Sequence, residues 1–263
     1  EVIRSSDRGH SEVISVAPVE GDTITSKEEV EITPRVYVDP NPERYLSLIK
    51  TSDNLSLYPY QMQDIEVIHQ LFNEKGYAWI LSEMGSGKTV EALVFAESLQ
   101  PQLDFVLVVC PNTAKYVWQL EIRKWLGKEA FVVGDKPWNR FNSWKKALTD
   151  GVKPPAYFII HYEGLRKSDY QEILNLLKFD LVIFDEAHKL RNVDTKQFKG
   201  AQTLEVERGK IFITGSPVVN SPLDVYAMLS LSEPNIWSRS GFLSMYTFGS
   251  QGRWGYKVHG TRN

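Results

Sequence analysis

The residues with the most specific chemistry are Ser82 to Thr89, SEMGSGKT, which lie between the apolar run AWIL and the helix-forming segment KTVEALVFAESL. Glycines at 85 and 87 permit positive φ and close backbone approach, so the amides of Met84, Gly85, Ser86 and Gly87 can converge on one anion. The helix that follows adds the positive end of its dipole. In such a cradle Lys88 would neutralise the β and γ phosphates of a nucleotide, and the Thr89 hydroxyl would ligand Mg²⁺. The first position of the loop is Ser82, where the general G-x-x-x-x-G-K-[ST] pattern has glycine.

A second group follows the apolar run LVIF, which ends in Asp185-Glu186-Ala187-His188. A carboxylate at the C-terminal end of a parallel strand faces the crevice in which open α/β sheets bind ligands. Asp185 could there hold a metal through water, and Glu186 is placed to polarise an attacking water. Acids at a helix N-terminus would explain the pair by itself; a phosphate loop earlier in the chain makes the catalytic reading the stronger one.

These groups need a sheet to hold them. Apolar runs at AWIL (78–81), FVLVVC (105–110), AFVV (130–133), AYFII (156–160), LVIF (181–184) and KIFIT (210–214) alternate with helical segments after Leu57. That alternation predicts an α/β domain, a doubly wound and mostly parallel sheet with helices on both faces. Residues 1–53 read as a small β appendage or linker, 54–237 as the nucleotide-binding lobe, and 238–263 as a short helix followed by a Gly- and aromatic-rich loop.

Composition bounds the rest. At 263 residues with 42% hydrophobic and 24% charged side chains, the chain has material for one large core and is neither disordered nor a coiled coil. Its apolar runs are far shorter than a membrane span. The single cysteine, Cys110, excludes an internal disulfide or thiolate zinc cluster and predicts an intracellular, reducing home with a buried, inert thiol. The net charge of −3 leaves polyanion contact to local patches. Residues 111–147, with eight bases against three acids, are one such patch and include Lys115, Arg123 and Lys124. The opening EVIRSSDRGH has no initiating Met, as expected of a trimmed piece.

The phosphate loop and DEAHKLRN, with LYPYQ (57–61), LVVCPNTAKYVWQLEIRKW (107–125) and FITGSPVVNSPLDVYAML (212–229), resemble the motifs of superfamily-two helicases, in family order. The Swi/Snf-type ATPases are the branch they resemble most. The tail QGRWGYKVHGTRN resembles the stretch after the first lobe in annealing-helicase-like and phage or bacterial members. The resemblance implies a RecA-like P-loop lobe that uses ATP and Mg²⁺ to move on duplex DNA. It implies that Gln61 recognises adenine and that Thr214, Gly215 and Ser216 couple nucleotide state to lobe movement. A solvent-facing glutamine and a plain ST-turn are the structural alternatives.

For nucleic acid, the resemblance places Asn112 to Trp118 and HYEGLR (161–166) at strand ends along one backbone. Candidates are Asn112, Thr113, Lys115, His161 and Tyr162, with Arg191 and Asn192 on the same edge. Asn112 and Thr113 are also expected to cap the next helix, and Trp118 and Trp125, seven apart, to be core. A second RecA-like lobe would supply the arginine that stabilises the transferring phosphoryl group, so this chain alone is expected to bind nucleotide and hydrolyse it slowly. An RNA helicase lobe and a non-enzymatic, ATP-switched nucleic-acid-binding module are the competing functions.

Overall fold

Strands buried on both faces read as continuous runs of Val, Ile, Leu and Phe, and all six apolar runs form strands. The computed structural model describes residues 12–13, 42–49, 55–133, 155–166, 174, 177–216, 222–234, 238–252 and 255–261. The parallel strands are β2 (Tyr77–Leu81), β3 (Phe105–Cys110), β4 (Ala130–Val132), β5 (Ala156–His161), β6 (Phe179–Asp185) and β7 (Val206–Thr214). Their spatial order is β2-β7-β6-β3-β5-β4. Beyond β2 a two-residue strand, β1 (Glu12–Val13), pairs antiparallel with Leu81 and Ile80. The doubly wound, mostly parallel sheet is thus as expected.

Period-two alternation divides the strands between two cores. Ile80, Val106, Val108, Ile183 and Ile211 point to one face, beneath α2 (Pro59–Lys75), α3 (Lys88–Ser98) and α4 (Lys115–Leu126). Leu81, Leu107, Val109, Phe184 and Phe212 point to the other, where α5 (Lys196–Gln202) and α6 (Pro222–Ser232) contribute Phe198, Ala201, Ala227 and Met228. With both faces covered, the remaining strand groups that can meet a ligand are the C-terminal ends.

Local signals set the ends of the helices. Pro59 occupies the first turn of α2, where a missing N–H costs nothing, and Gly76 closes it with φ 73° and an N–H bond to the Phe72 carbonyl at 2.8 Å. Gly127 closes α4 in the same left-handed manner. Cys110 is fully buried, and burial pushes its thiol well above the ordinary thiol range, as an inert thiol requires.

Three expectations change. Within 1–53, the described residues include a short helix, α1 (Pro42–Leu46), whose fully buried Tyr45 joins the core and donates to Glu66. The other strand candidates of that segment lie outside the described residues. At the other end, the helix α7 (Arg239–Tyr246) is as expected, but the Gly-rich loop is a hairpin of β8 (Thr247–Gly252) and β9 (Gly255–Thr261). Strand pairing is a backbone ladder, so a glycine-rich segment without alternating side chains can still form one. Finally, neither the 3-10 turn Asn112–Ala114 nor α4 receives a side-chain cap; Pro111 and Ala114 sit at those positions, and Asn112 and Thr113 are exposed.

Candidate nucleotide site at the strand ends

β2 leads into the candidate phosphate loop, residues 82–89. Gly85 and Gly87 have φ of 86° and 93°, the left-handed conformations that their lack of a Cβ permits. Gly87 stands at the N-terminus of α3 with no side-chain cap, which leaves the first amides of that helix to a ligand. Ser82, the departure from the general pattern, braces the loop from inside, because the Ser86 hydroxyl donates to the Ser82 hydroxyl at 2.8 Å. Lys88 lies across the loop and donates from Nζ to the carbonyls of Ser82 at 2.8 Å and Glu83 at 2.5 Å. Burial lowers its pKa, while Glu186, Glu91 and Asp185 act in the opposite direction.

The start of α2 is tied to the same loop. Gln61 accepts from the Tyr58 amide at 2.9 Å and donates to the Ser86 carbonyl at 3.2 Å, and the Tyr60 hydroxyl donates to that carbonyl at 2.8 Å. Gln61 is buried, not solvent-facing. One of its two N–H donors and one acceptor lone pair remain for a ligand. Tyr58 and Tyr60 stack with ring centroids 5.7 Å apart. These side chains, with Met84, Thr89, Glu121, Trp125, Asp185 and Glu186, line a cleft of about 450 Å³. The loop and the acidic pair therefore share one cavity.

β6 delivers the acids. Asp185 is its last residue, and Glu186 follows at φ 52°, a left-handed conformation that a non-glycine residue adopts only when its surroundings impose it. Burial raises the Asp185 pKa most, and a hydrogen bond from the Trp118 indole opposes that rise. The indole Nε1 donates to Asp185 Oδ2 at 2.8 Å, and the Tyr162 hydroxyl donates to the Asp185 carbonyl at 2.7 Å. Trp118 is core by burial, as expected, but its N–H belongs to the site. The tryptophan spacing alone gave no sign of that. Trp125 is half-buried and lines the cleft.

β7, between β2 and β6, brings Thr214, Gly215 and Ser216 against both groups. His188 Nδ1 lies 3.1 Å from Glu186 Oε2 and 3.0 Å from the buried Thr214 hydroxyl. The Ser216 amide donates to that hydroxyl at 3.1 Å. A Cβ on Gly215 would stand 3.2 Å from the Ser82 carbonyl, so the turn presses on the phosphate loop. The ST-turn is real and also touches loop and acids.

The nucleic-acid candidates separate by exposure. Asn112 and Thr113 after β3, and Arg191 and Asn192 after the 3-10 turn Ala187–Leu190, are exposed at the ends of neighbouring strands. Lys115, His161 and Tyr162 are buried, with Tyr162 supporting Asp185. Arg123 and Lys124 lie exposed on the last turn of α4, where Arg123 pairs with Glu129 at 2.7 Å.

Gly87 offers a direct test of the loop. A Cβ there would approach Gln61 Nε2 to 2.1 Å, whereas nothing lies within 4 Å of one on Gly85. Left-handed strain costs about 1–3 kcal/mol at either position. Gly87→Ala is expected to lower thermal stability more than Gly85→Ala, and to weaken nucleotide binding by displacing Gln61. Equal melting temperatures for the two variants would contradict the Gln61–Gly87 contact.

Residues 60–251 match the SNF2-related domain. Relatives include a DNA repair protein, rhp54, of Schizosaccharomyces pombe, 26% identical over 72% of this chain and 24% of its own length. The human DNA repair and recombination protein RAD54B is 30% identical over 72% of this chain and 21% of its length. The chain thus spans about a quarter of the length of the curated relatives it matches. The fold is that of the Sulfolobus solfataricus SWI2/SNF2 ATPase core solved in complex with dsDNA, at TM-score 0.62 and 21% identity over 76% of this chain and 41% of that one. With residues 60–251 matched, which is well over half of its length, this chain belongs to the SNF2-related domain family.

Proposed function

We propose that this chain is the ATP-binding lobe of an ATP-dependent DNA translocase. The observation that carries this reading is the single cleft lined by Lys88, Thr89, Asp185 and Glu186. Gln61 would read adenine with its remaining donor and acceptor, and the loop amides and Lys88 would hold the phosphates. Thr89 and Asp185 suit Mg²⁺, because they are hard oxygen donors and because Mg²⁺ is commonly held by one or two carboxylates together with substrate phosphates. No cluster of three or more His, Cys, Asp or Glu side chains among the described residues offers a dedicated metal cage. When bound, the ion neutralises charge on the phosphates.

Glu186 orients the attacking water, and His188 connects its carboxylate to Thr214, so the Thr214–Ser216 turn registers what happens at the acids. Among the described residues lining the cleft, Lys88 is the one Lys or Arg. A second RecA-like lobe is the proposed source of the arginine that completes it. Asn112, Thr113, Arg191 and Asn192 would contact the DNA backbone along the β3 and β6 ends. The DNA repair names of the relatives and the dsDNA in the Sulfolobus complex support DNA over RNA.

The test is ATP turnover by the chain together with its second lobe, with and without duplex DNA, over a salt series. Turnover should rise with duplex, and log affinity for DNA should fall linearly with log salt, independent of sequence. Stimulation by RNA in place of duplex DNA, or by neither, would overturn the DNA assignment.

A further inference from the structure

Resting on the assignment of Asp185 as the metal-facing carboxylate, we infer that Trp118 is a positioning residue for the divalent cation: its indole N–H fixes Asp185 so that the carboxylate meets Mg²⁺ in one orientation. A carboxylate at a strand end can rotate about its terminal torsion, which has a broad energy well. Trp118 removes that freedom by donating to Oδ2 at 2.8 Å. The donor is itself immobile, because Trp118 is only 2% exposed and is packed in the core under α4. Tyr162 holds the backbone of the same residue by donating to its carbonyl, so both ends of Asp185 are fixed.

Tryptophan suits this task for a physical reason. Its N–H donates and never accepts, so it bonds to the carboxylate whatever else binds there and cannot compete for the cation. A lysine or arginine in its place would add a positive charge that repels Mg²⁺. An aliphatic residue would leave a half-buried carboxylate oxygen without this donor. Partners of this kind behind a metal ligand typically change metal affinity by about 10 to 100-fold when removed.

The experiment measures binding of a fluorescent ATP analogue to the full chain, with Mg²⁺ and with EDTA, for the parent and Trp118→Phe. Phenylalanine keeps an aromatic ring and lacks the donor. The Mg²⁺-dependent gain in nucleotide affinity should fall about tenfold, and the affinity in EDTA should stay within about twofold. A purely structural role would lower both together, as would general loosening of α4; Ile122→Val, a buried substitution on the same helix, serves as that control. Should Trp118→Phe fail to fold, the benzothiophene analogue of tryptophan at position 118 keeps ring size and shape and removes only the N–H. A full Mg²⁺-dependent gain in either variant overturns the inference. Absence of any such gain in the parent chain would instead overturn the metal-facing assignment of Asp185.

Discussion

Glu186→Gln is expected to leave ATP affinity within about twofold of the parent and to reduce turnover in the two-lobed protein about 10² to 10⁴-fold, the range for loss of a general base. The amide has nearly the size of the carboxylate and can hold the 3.1 Å contact to His188, so the left-handed turn at φ 52° keeps its support. What it lacks is a basic oxygen for a proton. Turnover and binding must be measured on the same preparation, since only their divergence identifies a group that acts after binding. Parent-like turnover would remove Glu186 from the chemistry and direct attention to Asp185.

Lys88→Ala should show the opposite pattern, with ATP affinity reduced at least tenfold, about 1.4 kcal/mol, and with little change in folding stability. Lys88 is half-buried and its bonds go to the carbonyls of Ser82 and Glu83 on the loop rim. Its removal costs the fold about 0.5 kcal/mol or less, as for other substitutions near the surface. The nucleotide loses the only lysine or arginine among the described residues that line the cleft. Titration with fluorescent nucleotide alongside a thermal melt separates this result from that of Gly87→Ala, where stability and affinity fall together. Equal affinity for parent and Lys88→Ala would dismiss the loop as a phosphate site.

The strands and the loop were legible in the sequence because both are written locally. A strand buried on two faces is a run such as FVLVVC, and a phosphate loop is a spacing of glycines before a lysine. Trp118 was not legible as a site residue, since its partner Asp185 is 67 positions away and an indole against a carboxylate has the same helical spacing as an indole in oil. The resemblance placed Lys115, His161 and Tyr162 along the nucleic-acid track; their burial was not legible, because a sequence shows charge and polarity but not burial. The hairpin of β8 and β9 was hidden for the converse reason: its register is carried by backbone groups common to every residue.

The position of β7 between β2 and β6 has a further consequence. Adjacent strands lie about 4.8 Å apart, so the axes of β2 and β6, which lead into the glycine loop and the acidic pair, are held about 9.6 Å apart by a hydrogen-bonded frame that stretches very little. That frame is a gauge. A ligand seated on the loop must be long enough to cross the width of the intervening strand before it reaches Glu186, and a shorter one of equal charge density stops before the gap is closed. For the nucleotide proposed above, discrimination between a triphosphate and its diphosphate product would then be a matter of length, with the turn Thr214–Ser216 on the strand between the two groups.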